Sequence, residues 1–305
     1  AGLAAVLLGG PGGVAGPGPV DQEPGSAVPA TPTASGEQPP TASPTSAPAA
    51  TPTTTPTPTP TRTAAPTSTV ATTRAGDRRY TDEISEGADR TTVHVVDAQR
   101  EGPTVVVVGG QHGTEPAGAL AAGEVATWSV DRGVLVVVPE ANPRALRAGT
   151  RTVDGRDLNR QFPVGRPPTT AQARALWRVV RRYGADAVID LHSSRGVYLV
   201  DGVGQAVFPT VSGDAVEHAT LAISRVNVAY GLEDDLLFRP GNVMGRTGVK
   251  LARKVAGDLE EPAYIVETSR RGTTLETRVE LTTAVTWELL RLHGLVSGER
   301  PFRGP

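Results

Sequence analysis

The chain has 305 residues, a formal net charge of −2, 20% charged residues and no cysteine. A near-neutral balance with no basic run among aromatics gives no field for nucleic acid, and the missing cysteine excludes disulfides, thiolate nucleophiles and Cys-based metal sites. Any metal here must be held by His, Asp or Glu.

Residues 1–16 open with the apolar run Ala-Gly-Leu-Ala-Ala-Val-Leu-Leu and read as a partial signal peptide or the remnant of an apolar anchor. Residues 17–77 form a Pro/Thr/Ala-rich linker; 15 of the 27 prolines lie in the first 75 residues. Such a composition buries too little apolar surface to offset chain entropy, so disorder is expected. Its Thr-Pro repeats suit a stalk outside the membrane, which points to a secreted or envelope-associated protein. The folded domain is expected over 78–298, with 299–305 as a tail. At roughly 220 residues it is one domain with a substantial core.

Thr91–Val96 and Thr104–Val108 read as strands, the second apolar throughout, as a centre strand covered on both faces would be. Pro116 then opens a helix expected to reach about Ser129. Val134–Val138 is the next buried strand, and 139–168 reads as a polar loop long enough to suggest function. A helix over Ala171–Tyr183 carries Leu176, Val179 and Val180 on one face. Ala187–Leu191 is a short apolar strand, and a hairpin or strand pair is expected around 197–207. Helices follow over 214–230 and 248–256, then the strand Ala263–Val266 and a last helix over Leu275–Leu292. Strands alternating with helices predict an α/β sandwich with a mainly parallel sheet.

Polar groups stand directly after three apolar strands: His112 with Glu115, then His192, then Glu267. In open α/β sheets ligands bind beyond the carboxyl ends of the strands, so these groups should converge. His-x-x-Glu places two ligands about a turn apart; with a distant histidine it makes a His₂Glu set, which leaves a position open in a catalytic zinc site. His94, His218 and His293 lack such company and read as structural.

The segments Gly109-Gly110-Gln111-His112-Gly113-Thr114-Glu115, Thr150 to Arg160 (TRTVDGRDLNR), Asp190-Leu191-His192-Ser193 and Ile265-Val266-Glu267-Thr268 resemble the succinylglutamate desuccinylase/aspartoacylase family of the zinc carboxypeptidase-like superfamily. They follow the family's order across about residues 90–295. The resemblance implies a three-layer sandwich with a mixed, mainly parallel sheet. It also implies one Zn²⁺ per chain on His112, Glu115 and His192, with Glu267 as the general base acting on the attacking water. Arg151 would steady the developing oxyanion, Asn159 and Arg160 would hold a substrate carboxylate, and Asp157 would hydrogen-bond the first metal histidine. Such roles suit the residue types: a planar guanidinium matches a carboxylate, and metal histidines usually need a partner on the far ring nitrogen.

The resemblance favours an N-acyl amide hydrolase acting on a small carboxylate-bearing substrate. Only 38 residues follow Glu267, as in the peptidase branch, whereas desuccinylase-type proteins often carry a further β-rich domain. Against a peptidase, Asn242-Val243-Met244-Gly245-Arg246 lacks the tyrosine that carboxypeptidases place a little over twenty residues before the glutamate. A secreted metallocarboxypeptidase or murein peptide amidase stays open, as does a non-catalytic binding module on a stalk. Neither a protein partner nor nucleic acid is expected.

Overall fold

A computed structural model describes residues 76–298 and Arg300, together with the backbone of β1 (Thr69–Ala71). The apolar N-terminal run, the remainder of the Pro/Thr-rich segment and most of the tail lie outside the described residues.

β2 (Arg78–Ile84) pairs antiparallel along its whole length with β3 (Thr91–Asp97). The valine-rich β4 (Thr104–Val108) leads through the Gly109–Glu115 segment into α1 (Pro116–Val125), and β5 (Val134–Val138) returns parallel to it. α2 (Pro143–Ala148) and a two-stranded hairpin, β6 (Thr152–Val153) and β7 (Arg156–Asp157), come next, followed by a 3₁₀ turn over Leu158–Arg160. α3 (Ala171–Arg182) is capped by Thr170, whose hydroxyl accepts from the Ala173 amide at 3.2 Å. β8 (Ala187–Ser194), β9 (Ala206–Pro209), α4 (Ala215–Tyr230) and the two-residue β10 (Arg239–Pro240) continue the chain. α5 (Leu251–Asp258), β11 (Ala263–Ser269) and α6 (Leu275–Leu292) complete it.

The main sheet runs β1-β2-β3-β5-β4-β8-β11-β9-β10. Its centre, β5-β4-β8-β11, is parallel, and antiparallel strands flank it on both sides. Strand alternation divides the core cleanly. Val105, Val107, Leu135, Val137, Ile189 and Leu191 face α1, α4 and α6, while Val106, Val108, Val136, Val138 and Val188 face α3 and α5. The expected three-layer α/β sandwich with a mixed, mainly parallel sheet is thus observed. Each fully buried aliphatic side chain contributes about 1.5–3 kcal/mol, which explains why the centre strands are apolar on both faces.

This order also fixes where a ligand can sit. From β4 the chain moves to β5 on one side and later to β8 on the other, so a crevice opens beyond the carboxyl ends of β4 and β8.

The sequence expectations differ from the structure in several places. α1 stops at Val125, because the Thr127 amide and hydroxyl both turn back onto the Glu124 carbonyl. β2 went unread because Arg-Arg-Tyr-Thr-Asp-Glu-Ile has no apolar pattern. Its buried Asp82 is satisfied by the Tyr183 hydroxyl at 2.5 Å and Arg182 at 3.2 Å. The polar stretch 139–168 holds α2 and the β6–β7 hairpin rather than one loop. Near 197–207 a loop closed by bridges Val197–Gly204 and Tyr198–Gly202 leads into the single strand β9.

Candidate metal centre and active site

β4 ends in a Gly109–Gly110 turn that lifts His112 and Glu115 above the sheet. Two glycines let this loop and α1 sit so low. A Cβ on Gly113 would lie 1.7 Å from the Ala145 carbonyl oxygen, and one on Gly118 would lie 2.2 Å from that of Leu191. α1 therefore rests directly on β8, beside His192.

His112, Glu115 and His192 are 2%, 5% and 2% exposed, and their ligand atoms all lie within 4.8 Å of one another. The Glu115 carboxylate bridges the two rings: Oε1 is 2.9 Å from His112 Nδ1, and Oε2 is 2.8 Å from His192 Nδ1. Each ring turns its other nitrogen onto a carboxylate. His112 Nε2 is 2.8 Å from Asp157 Oδ1, and His192 Nε2 is 3.1 Å from Asp190 Oδ2. Both Nδ1 atoms thus face Glu115, which gathers a His₂Glu donor set of the kind catalytic zinc sites use.

The electrostatics also fit a cation. Burial opposes protonation of both histidines, yet Asp157 and Glu115 raise His112 above its ordinary pKa, and Asp190 and Glu115 raise His192 well above it. Burial would push Glu115 up, but His192 and His112 hold it well below the usual carboxylate range. Asp157 is likewise drawn down to about 2 against its burial by His112, Arg151 and Arg160. The pocket therefore favours positive charge, as a site for a divalent ion would.

Glu267 stands directly opposite His192 in the β8–β11 register and, by alternation with Ala263 and Ile265, on the same face. Its Oε2 is buried and has no hydrogen-bond partner among the described residues. Burial raises its carboxyl to about 7, with Glu115 adding to the rise and His192 opposing it. Arg151 reaches in from the side, with NH1 3.1 Å from Glu115 Oε1 and Nε 3.1 Å from Asp157 Oδ2. The structure thus brings His112, Glu115, His192, Asp157, Arg151 and Glu267 together.

Asn159 and Arg160 diverge. Arg160 is exposed. Asn159 is 3% exposed and turned beneath the site: Oδ1 accepts from the Leu251 amide at 3.0 Å, and Nδ2 lies 3.4 Å from Asp190 Oδ2 and 3.2 Å from His192 Nε2. Sequence reasoning assigned no role to Asp190 or Gln111, whose Nε2 lies 2.8 and 2.7 Å from the two Asp190 oxygens. The available signal was a charge inside an otherwise apolar strand, Val188-Ile189-Asp190-Leu191. His94, His218 and His293 do not reach the centre; His218 and His293 pack edge to face at 4.7 Å, and Tyr264 meets His293 at 2.9 Å.

Residues 101–203 match the family model for the succinylglutamate desuccinylase/aspartoacylase catalytic domain. This segment holds all of the site except Glu267. The N-alpha-acetyl-L-2,4-diaminobutyric acid deacetylase of Halomonas elongata is 38% identical over 119 residues, 37% of this chain and 34% of the relative. Among solved structures, product-bound cell shape determinant protein Csd4 of Helicobacter pylori matches with a TM-score of 0.56 and 22% identity, over 66% of this chain and 53% of that one. Product-bound ectoine utilization protein EutE (DoeB) of Ruegeria pomeroyi gives 0.53 and 21%, over 78% and 74%. A succinylglutamate desuccinylase from a Silicibacter species gives 0.54 and 20%, over 77% and 72%. The chain spans about a third of the curated relative and about half of Csd4. The structural likenesses show the fold, and the family model supports the resemblance read from the motifs over residues 101–203.

Proposed function

We propose that this chain, whose residues 101–203 carry the succinylglutamate desuccinylase/aspartoacylase signature, is a zinc-dependent amidohydrolase that removes an acyl group from the nitrogen of a small carboxylate-bearing substrate. The observation that carries this reading is the buried convergence of His112, Glu115 and His192, each histidine backed by its own carboxylate, with Glu267 alongside.

His112 Nδ1, His192 Nδ1 and the Glu115 carboxylate would hold the zinc. When bound, the metal supplies Lewis acidity that polarises a scissile carbonyl and makes water nucleophilic near neutral pH. Glu267 takes the proton from the attacking water through its unpartnered oxygen and passes it to the leaving nitrogen. With a cation held beside it, the Glu267 carboxyl would stay ionised against the upward pull of burial. Arg151 is held at the site's edge by Glu115 and Asp157, where its guanidinium can meet charge developing on the carbonyl oxygen. The exposed Arg160 offers a planar fork to the substrate carboxylate.

The Halomonas relative's name, a deacetylase of an N-acetylated amino acid, supports this substrate class over a peptide. The exported setting suggested by the Pro/Thr-rich segment belongs to the same proposal, and fractionation of the producing cell tests it. The deciding experiment assays the full chain with zinc against N-acyl amino acids, peptides with free C-termini and muropeptides. Release of a carboxylic acid from N-acyl amino acids is expected. Activity confined to peptides or muropeptides would overturn the deacylase reading.

A further inference from the structure

Beside Glu267, on the flank away from His192, the loop between β8 and β9 brings in an aromatic side chain that the reaction above leaves unused. The loop is seated on β11 itself. A Cβ on Gly204 would lie 2.3 Å from the Gly196 carbonyl oxygen and 2.7 Å from Ser269 Cα, so a glycine is needed for this approach two residues past Glu267. The Ser269 amide donates to Gln205 Oε1 at 2.8 Å. Arg271, just beyond β11, pairs with Asp201 in the loop and with Asp235 at 3.3 Å. The loop is thus a fixed wall of the crevice, tied down at its root and its tip.

Tyr198 hangs from this wall along the Glu267 face of the sheet. Its amide donates to the Gly204 carbonyl at 2.8 Å, and its ring packs edge to face on Phe208 at 5.1 Å. In the β9–β11 register Phe208 stands opposite Ile265 and Ala206 opposite Glu267. The half-buried tyrosine therefore runs from the level of Ser269 down to that of Ile265, past Glu267 and over the small Ala206. The neighbouring Leu199 is exposed and takes φ +67°, which bulky residues rarely adopt, so the backbone bends sharply where Tyr198 turns in. The phenol oxygen accepts from the Asn242 amide at 3.1 Å, and its own proton has no acceptor among the described residues. Below it Phe208 and Ile265 keep 7% and 5% exposure, as the floor of a pocket would. Asn159 and Arg160 stand on the β8 side of Glu267, where Asn159 Nδ2 lies 3.2 Å from His192 Nε2.

We propose that Tyr198 is a specificity residue whose phenol donates a hydrogen bond to an oxygen acceptor on the side chain of the substrate's amino acid portion. This role rests on the deacylase reading above. The carboxylate and the side chain of an N-acyl amino acid branch from the carbon next to the leaving nitrogen. A carboxylate held by Arg160 on one flank of Glu267 thus turns the side chain towards Tyr198 on the other. The substrate class narrows to N-acyl amino acids with a carboxylate, amide or hydroxyl oxygen in the side chain. An apolar side chain of the same shape would leave the phenol proton unpaired, which a site built around a donor penalises.

The test measures kcat/KM of the zinc-loaded full chain, wild type and Tyr198→Phe, on the N-acyl derivatives of asparagine and leucine, two side chains of nearly one shape. The N-acyl derivative of 2,4-diaminobutyric acid, which offers a cation and no acceptor, is the second control. In Tyr198→Phe the asparagine-to-leucine ratio should fall about 2–10-fold, the size of one neutral hydrogen bond. The change should be carried by KM more than by kcat, with zinc content equal in the two proteins. An unchanged ratio, whether both substrates weaken together or neither does, would overturn the proposal, as would a loss confined to the diaminobutyric acid derivative. If the zinc-loaded wild type hydrolyses none of the three, the deacylase reading fails and this role with it.

Discussion

Two glycines on α1 provide the sharpest structural prediction, because the same substitution should act in opposite directions five residues apart. A Cβ on Gly118 would stand 2.2 Å from the Leu191 carbonyl oxygen, 2.9 Å from its carbon and 3.5 Å from the His192 amide. Ordinary contact needs about 3.5 Å, so α1 must lift by more than about 1 Å or β8 must give way beside His192. Overpacking costs about 1–3 kcal/mol, and a displacement of about 1 Å at a catalytic constellation can cost about a hundredfold in rate. Gly118→Ala should therefore lower the melting temperature by several degrees and weaken zinc binding. Gly123 has nothing among the described residues within 4 Å of its would-be Cβ. Gly123→Ala should add about 0.5–1 kcal/mol through helix propensity, which is a rise of roughly 1–4 °C for a domain of this size. Thermal melts and zinc titrations of both variants are the assay. Equal responses at the two positions would refute the description of α1 seated on β8.

Glu267→Gln keeps the shape of the side chain and removes its basicity. It should leave zinc binding intact and reduce turnover of the best N-acyl substrate at least about a hundredfold; unchanged turnover would take Glu267 out of the mechanism. His293 supplies a pH prediction away from the metal. Burial, assisted by His218, lowers it to about 4 from an ordinary 6.5, with Asp214 opposing. A histidine with a depressed folded pKa favours the native state fully above about pH 6.5. That contribution is lost as pH falls towards 4, amounting to at most about 3 kcal/mol. Urea midpoints of the wild type should drop between pH 7 and pH 4.5 more than those of His293→Gln; parallel curves would contradict the assignment.

What the sequence could and could not show follows from how each contact is made. The centre strands were legible because both faces are buried, leaving unbroken apolar runs such as Thr104-Val-Val-Val-Val108. His112, Glu115, His192 and Glu267 were legible because a parallel sheet delivers strand-end residues to one crevice. β2 was not, since its burial comes from partners far along the chain, with Tyr183 bonding Asp82 across 101 residues. The elements inside 139–168 escaped for a similar reason. That region is held by scattered contacts such as buried Lys254, which donates to the Pro163 carbonyl at 2.8 Å and the Arg166 carbonyl at 2.7 Å. Asp190 and Asn159 lay within recognised motifs, but their relation to each other and to Gln111 is three-dimensional. Spacing alone gives no reason to turn the Asn159 amide inward and leave Arg160 facing out.

The central claim is that His112, Glu115 and His192 form one zinc site that drives acyl hydrolysis. Metal analysis of the full chain, before and after chelation and in His192→Ala, tests it most directly. The account predicts about one zinc per chain in the wild type, removed by chelator and restored together with acyl-amide hydrolysis when zinc is returned, with little retained by His192→Ala. A wild-type chain that holds no zinc, and gains no hydrolysis when zinc is supplied, would contradict it.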